Sequence, residues 1–237
     1  MRLKGLADTY ALDPAIEAAV TESTLSPPAL RILGALIEAK PPHHVIEFGS
    51  GLSTRFFLQA LRESPESHVY SIDDSAAYLE HTRATLAAED AARVTLVHAP
   101  VRPLHFRGKL FLTYSRRALE RALPAFTADL ILIDGPPAFR YGREAVLYGA
   151  LPWVGGGTTI VLDDAGRGPE QAALARWQEL WGGGCDIELL PDVRKGLAII
   201  TTHPAAMTAR GLYPLSECLR SWAKTARGVA RDALRRH

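Results

Sequence analysis

The chain has 237 residues, 47% of them hydrophobic, and a formal net charge of +1, which is enough for one large α/β domain with a full core. The near-neutral balance hides an asymmetry: residues 210–237 carry seven Lys/Arg against two Asp/Glu, so the rest is net negative and is not a general binder of polyanions. Only Cys185 and Cys218 occur, in no paired motif, and the start has a charge too early for an apolar signal core; a disulfide framework, a cysteine-held zinc and a transmembrane segment are excluded, and a cytoplasmic protein is expected.

Asp13-Pro14 and Ser26-Pro27 each place a capping side chain before a proline at the first helical position, which predicts two short helices ahead of the first strand. The second carries Leu30, Leu33, Leu36 and Ile37 at helical spacing and stops before Pro41-Pro42. Both would cover a sheet edge.

His44-Val45-Ile46-Glu47-Phe48 reads as the first strand, and Gly49-Ser50-Gly51 as a tight turn into a helix over 52–62. Glycines permit positive φ and close approach of a ligand, and the helix start offers unpaired N–H groups and a positive dipole end. His68 to Asp73 is a second strand ending on Asp73-Asp74, followed by a helix over 76–89. Asp73 lies about one strand-helix-strand unit beyond Glu47, at a neighbouring strand end, where an acid can accept hydrogen bonds from both ribose hydroxyls of an adenosine. A third strand covers 93–97; an irregular, hairpin-like insertion with His105 covers 101–117, and a helix covers 116–122.

Leu130-Ile131-Leu132-Ile133 is a strand apolar on both faces that ends in Asp134 and a Gly135-Pro136-Pro137 turn. Across the switch point of a doubly wound sheet, Asp134 should face Glu47 and Gly49. Phe139-Arg140-Tyr141-Gly142-Arg143-Glu144 then opens a helix near the expected acceptor site. Thr158 to Leu162 is a fifth strand finishing on Asp163-Asp164, of which strand alternation sends only one into the crevice unless the strand has already ended. A helix over 169–181 and strands over 185–190 and 197–202 complete the series.

A dinucleotide pyrophosphate wants a third glycine where this chain has Thr54, and gains little from a carboxylate such as Glu47. A sulfonium and ammonium ligand such as S-adenosylmethionine suits that carboxylate, which can hold the ammonium directly or through water. Glu47-x-Gly-x-Gly, Asp73, Ile133-Asp134-Gly135 and Leu162-Asp163-Asp164 fall in the order and spacing of the motifs of class I S-adenosylmethionine-dependent methyltransferases. Residues 28–203 resemble that family, most of all its bacterial small-molecule O-methyltransferase subgroup, with Ser53 where many members have a third glycine.

The resemblance implies an α/β, doubly wound, Rossmann-like sheet of seven strands, mostly parallel with an antiparallel final hairpin, and helices on both faces. It implies S-adenosylmethionine held by Glu47, Gly49, Ser50, Gly51, Ser53, Thr54, Asp73, Asp74 and Asp134. The acceptor hydroxyl can be activated in two ways: by a magnesium or manganese ion on Asp134 with Asp163 and Asp164, or by a general base, His105 or Asp134 itself. The expected organisation is a helical cap over 1–40, the cofactor-binding domain over 41–205 and a basic amphipathic helix over 206–237. In that last helix Leu215, Leu219, Trp222, Ala226, Val229 and Ala233 form an apolar stripe, with Arg220, Lys224, Arg227, Arg231 and Arg235 on another face. It would pack on its own domain, join a second subunit or lie on an anionic surface.

Methyl transfer to oxygen of a small molecule or a glycan sugar is the leading function. The alternatives are an NAD(P)-dependent oxidoreductase and a non-catalytic methyltransferase-like binding protein that works through its tail. Nucleic acid is not an expected acceptor, because Asp134-Gly135-Pro136-Pro137 is not the Asn/Asp-Pro-Pro-Tyr/Phe motif.

Overall fold

The computed structural model describes residues 9–137, 142–204 and 213–234. Two helices precede the sheet, α1 (Pro14–Ala18) and α2 (Pro27–Ala39). Asp13 Oδ1 accepts the Ala15 N–H at 2.7 Å and Ser26 Oγ that of Ala29 at 3.4 Å, as prolines next to capping residues predict.

The main sheet is built from β1 (His44–Phe48), β2 (His68–Asp73), β3 (Val94–His98), β6 (Leu130–Ile133), β7 (Thr159–Asp163), β8 (Cys185–Leu190) and β9 (Leu197–Thr202). Their order is β3-β2-β1-β6-β7-β9-β8. The first five are parallel; β9 runs antiparallel to β7, and β8 pairs antiparallel with β9 at the sheet edge. The chain winds outward from β1 to β3, then returns to lay β6 against the other side of β1, with Phe48 beside Ile133. The order therefore reverses between β1 and β6, where the strand ends part and leave a crevice.

Strand alternation divides the apolar residues into two cores. On one face Val45, Val69, Leu132 and Val161 pack with α1, α2 and α3 (Leu52–Ala60). On the other, Ile46, Phe48, Ile131, Ile133 and Leu162 pack with α5 (Arg116–Ala122), α6 (Glu144–Ala150) and α7 (Gly168–Trp181). Trp177 is fully buried there and donates its indole N–H to Glu144 O at 3.1 Å.

The helix expected over 76–89 ends early, at Ala84 (α4, Ala76–Ala84). The Thr85 hydroxyl turns back onto Thr82 O at 2.7 Å, a local bond that competes with further helical turns. The insertion after β3 is a separate two-stranded sheet, β4 (Val101–Phe106) and β5 (Lys109–Tyr114).

The last helix, α8 (Leu215–Leu234), lies along β5. It does so through its small polar side chains: the Leu110 N–H donates to Ser221 Oγ at 3.0 Å and Thr225 Oγ1 donates to Leu110 O at 3.1 Å. An edge strand has unpaired backbone groups, and these hydroxyls satisfy them. The stripe of Leu215, Leu219, Trp222 and Val229 therefore stays 74%, 63%, 51% and 45% exposed. That differs from packing of the stripe onto its own domain. Arg235 lies outside the described residues. Among the described residues no helix is long and apolar enough to cross a membrane.

Candidate active site

The crevice at the β1/β6 switch point opens into a cavity of about 590 Å³, a size usual for small-ligand sites. One wall is the β1 turn, Gly49 and Ser50, and the next is the β2 end, Asp73, Asp74 and Ser75, with Tyr78 from α4. Asp134 and Gly135 at the end of β6 face them, with Asp163 and Asp164 beyond. Glu22, Ser23 and Thr24 close the far side together with Arg194 and Lys195.

Gly49 adopts φ +102°, and a Cβ there would stand 3.1 Å from Gly135 N. Gly135 is packed as closely, since a Cβ on it would meet the Tyr114 hydroxyl at 2.1 Å. The turns after β1 and β6 thus meet backbone to backbone; Gly49 is favoured by its positive φ as well, and Gly135 by the close approach alone. Asp73 draws the β1 turn toward β2: its Oδ2 accepts the Ser50 N–H at 3.2 Å and its Oδ1 that of Ser75 at 2.8 Å. Ser75 caps α4, accepting the Tyr78 N–H at 3.2 Å, which leaves Asp73 directed at the crevice. Burial raises the Asp73 pKa, and the two backbone N–H groups oppose the rise.

Glu47 does not line this crevice. Alternation puts it on the Val45 face of β1, against α3, and it is fully buried beneath the glycine turn. Its Oε2 accepts the hydroxyls of Thr54 at 2.6 Å and Ser71 at 2.7 Å. Thr54 Oγ1 in turn accepts the Gly51 N–H at 3.0 Å, so the carboxylate braces the turn from below. The contact of Glu47 with a ligand ammonium expected from the sequence, direct or through water, falls on a carboxylate whose Oε1 is buried without a hydrogen-bond partner among the described residues. Desolvation pushes its pKa up to about 7, against the pull of the Ser53, Thr54 and Ser71 hydroxyls. Ser53 and Thr54 are buried in the same bracing layer.

Asp134, Asp163 and Asp164 converge, with one carboxylate oxygen of each within 4.8 Å of the others. Both members of the β7 pair reach the crevice because the strand stops at Asp163 and Asp164 adopts φ +58°. Arg143, at the start of α6, is buried among them. Its Nη2 is 3.1 Å from Asp134 Oδ1 and 3.1 Å from Asp164 Oδ2, and its Nη1 donates to Asp163 O at 2.7 Å. Arg167 meets the same Asp164 oxygen at 2.9 Å. Burial, and then the neighbouring Asp163, raise the Asp134 pKa well above the carboxylate range, while Arg143 opposes them.

His105 is not part of this group. It stands exposed on β4, its ring 6.4 Å from that of Trp222 in an edge-on arrangement, because the insertion forms its own sheet and carries His105 toward α8. Phe139, Arg140 and Tyr141 lie outside the described residues. Tyr78, Tyr114 and Arg194 carried no site expectation from the sequence, and Arg143 was only part of a polar stretch. Tyr78 could have been read as the first-turn residue after the Ser75 cap. Arg194 reaches the site from the β8–β9 connection, and nothing in its sequence neighbourhood signals that.

Residues 46–165, half of the chain, match the model of the methyltransferase domain family, and the chain belongs to that family. The fold is shared with the S-adenosylhomocysteine-bound methyltransferase PaMTH1 of Podospora anserina (TM-score 0.59, 15% identity, covering 85% of this chain and 94% of that one). It is shared equally with an O-methyltransferase from Bacillus cereus in complex with S-adenosylhomocysteine (0.58, 16%, 84% and 96%). The O-methyltransferase TomG of Streptomyces achromogenes, bound to S-adenosylmethionine, is similar too (0.57, 15%, 86% and 99%). No curated protein matches the sequence. The family sets the dinucleotide alternative aside.

Proposed function

We propose that the protein transfers a methyl group from S-adenosylmethionine to a hydroxyl oxygen of a small molecule or glycan sugar. The observation that carries this reading is the cradle itself: a side-chain-free turn at Gly49, with Asp73 one strand away and Asp134 across the switch point. A Cβ at Gly49 would press on the Gly135 backbone across the switch point, and Asp73 retains lone pairs beyond those used by Ser50 and Ser75. These residues fit an adenosyl ligand, with Asp73 on the ribose hydroxyls, Asp74 beside it, and the Gly49–Ser50 backbone near the methionyl part. Glu47, Gly51, Ser53 and Thr54 would act by fixing the shape of that turn. The bound donor supplies an electrophilic methyl on a sulfonium. The chain aligns the acceptor for in-line attack, which can contribute on the order of 7–11 kcal/mol, and Asp134 accepts the hydroxyl proton.

A magnesium or manganese ion on Asp134, Asp163 and Asp164 does not fit the site as built, because the Arg143 guanidinium already bridges the Asp134 and Asp164 carboxylates and is tied to the Asp163 backbone carbonyl; the proton transfer is therefore assigned to Asp134 without it. Residues 1–40 serve as the cap over the acceptor through Glu22, Ser23 and Thr24. The exposed stripe of α8 is the surface for self-association or another contact. A cytoplasmic location is the matching setting.

Calorimetric titration with S-adenosylhomocysteine and, separately, NADH tests the donor. Binding of the first alone, lost in Asp73→Ala, is expected. Mass-spectrometric screening of hydroxylated small molecules and sugars for a methyl gain tests the acceptor class; failure to bind the adenosyl ligand at all overturns the proposal in favour of a non-catalytic binding role.

A further inference from the structure

We infer that Arg143 is a resident cation, holding within the chain the position between β6 and β7 that a divalent metal would otherwise take. The inference rests on reading the crevice as a methyl-transfer site, and it specifies how that site handles its acidic end. The evidence is the placement of one guanidinium. Nη2 lies 3.1 Å from an oxygen of Asp134 and 3.1 Å from an oxygen of Asp164, so it occupies the point between the two strand ends from which an ion would bridge them. Nη1 is used on Asp163 O at 2.7 Å, which ties the same group to β7.

Arg143 is only 5% exposed in its side chain and leaves from the first residue before α6, so it is buried and held at both ends. Behind it on α7 is Glu170, 1% exposed, with neither carboxylate oxygen hydrogen-bonded and with Arg143 and Arg167 as its charged neighbours. Magnesium demands near-octahedral oxygen ligands at about 2.0–2.1 Å. Between Asp134 and Asp164 that shell would have to include the space of Nη2, and a second cation at such a distance from a guanidinium is repelled by several kcal/mol even at an effective dielectric of about 20.

The substitution of cations has a chemical consequence. A guanidinium is always protonated and donates hydrogen bonds without accepting ligand oxygens. It therefore cannot draw an acceptor hydroxyl into a coordination shell, and its role is to position Asp134 and fix the charge of the acidic strand ends. Arg143 is a positioning residue on this account.

The test is manganese(II) titration followed by electron paramagnetic resonance on the full chain with S-adenosylhomocysteine present. The wild type should show no stoichiometric manganese site, and EDTA should leave its methyl transfer unchanged. Arg143→Ala should gain one site per chain, tighter than any wild-type binding by roughly tenfold or more, the scale of removing one nearby like charge. Adding Asp163→Asn should abolish that site. One tight manganese per wild-type chain, or no gain in a folded Arg143→Ala protein, overturns the inference. Arg143→Met, closer in volume, replaces the alanine variant if that one does not fold, and the wild-type titration decides in either case. Calorimetry with S-adenosylhomocysteine on the same samples reports the donor site separately, so a failed donor assignment is distinguished from a failed cation assignment.

Discussion

Two acidic strand ends meet at the switch point, and the chain neutralises them by different means. Glu47, under the β1 turn, is surrounded by the neutral hydroxyls of Thr54 and Ser71, whereas Asp134 and Asp164, at the ends of β6 and β7, share a buried guanidinium. Burial raises both: the Glu47 pKa goes up to about 7, and that of Asp134 goes well above the carboxylate range despite Arg143, because the neighbouring Asp163 adds to desolvation. The contrast suits the places: one acid braces a loop from below, while the other faces the crevice.

The largest effect should come from the charged end. Asp134→Asn is expected to lower methyl transfer by about 10²–10⁴-fold while changing S-adenosylhomocysteine affinity far less; rates by mass spectrometry and affinity by calorimetry separate the two. An equal loss in both would move Asp134 from chemistry to binding.

Glu47 gives the next largest effect. Its folded pKa of about 7 exceeds the usual 4.5, so between those values the folded protein keeps a proton that the unfolded chain releases. Stability should therefore fall as pH rises through this window, by about 3 kcal/mol in all. Urea denaturation at pH 5 and pH 8 (about these values) measures it, and Glu47→Gln should flatten the difference. A slope that survives the substitution belongs to another group.

Thr54→Val removes one donor from Glu47 and the acceptor of the Gly51 N–H. About 1–3 kcal/mol of stability should be lost, with weaker adenosyl binding because the turn relaxes. The smallest change is expected at Arg167, whose side chain is 37% exposed and pairs with Asp164 at 2.9 Å. Arg167→Ala should cost about 0.2–1 kcal/mol by thermal melting, and a larger loss would mean that the two arginines share one function.

The sheet and its strand ends were legible in the sequence because four of the five parallel strands are apolar runs with an acid at or next to their end: Glu47-Phe48, Ile72-Asp73, Ile133-Asp134 and Leu162-Asp163. The bounds of β8 and β9 could be read just as directly. Other features depend on three-dimensional contact. Period-two alternation does place Glu47 with Val45, on the α3 side, but the motif alone made it look ligand-facing. The positive φ that turns Asp164 into the crevice leaves no mark in composition. Arg143 joins its acids through a turn nine residues beyond Asp134, a separation no helix or strand period reports. In α8 the apolar periodicity pointed to a buried stripe, but the free backbone edge at Leu110 selected Ser221 and Thr225 instead.

Arg194, on the connection between β8 and β9, donates to the carbonyls of Thr21 and Thr24 at 3.4 and 2.9 Å and of Glu22 at 2.5 Å. One side chain thereby fastens the mouth of the crevice from a point some 170 residues along the chain. That rim is assembled from segments that share no strand with Gly49, Asp73 and Asp134, so on the proposed reading residues 21–24 can be rewritten to admit a different guest while the opposite wall is left as it is.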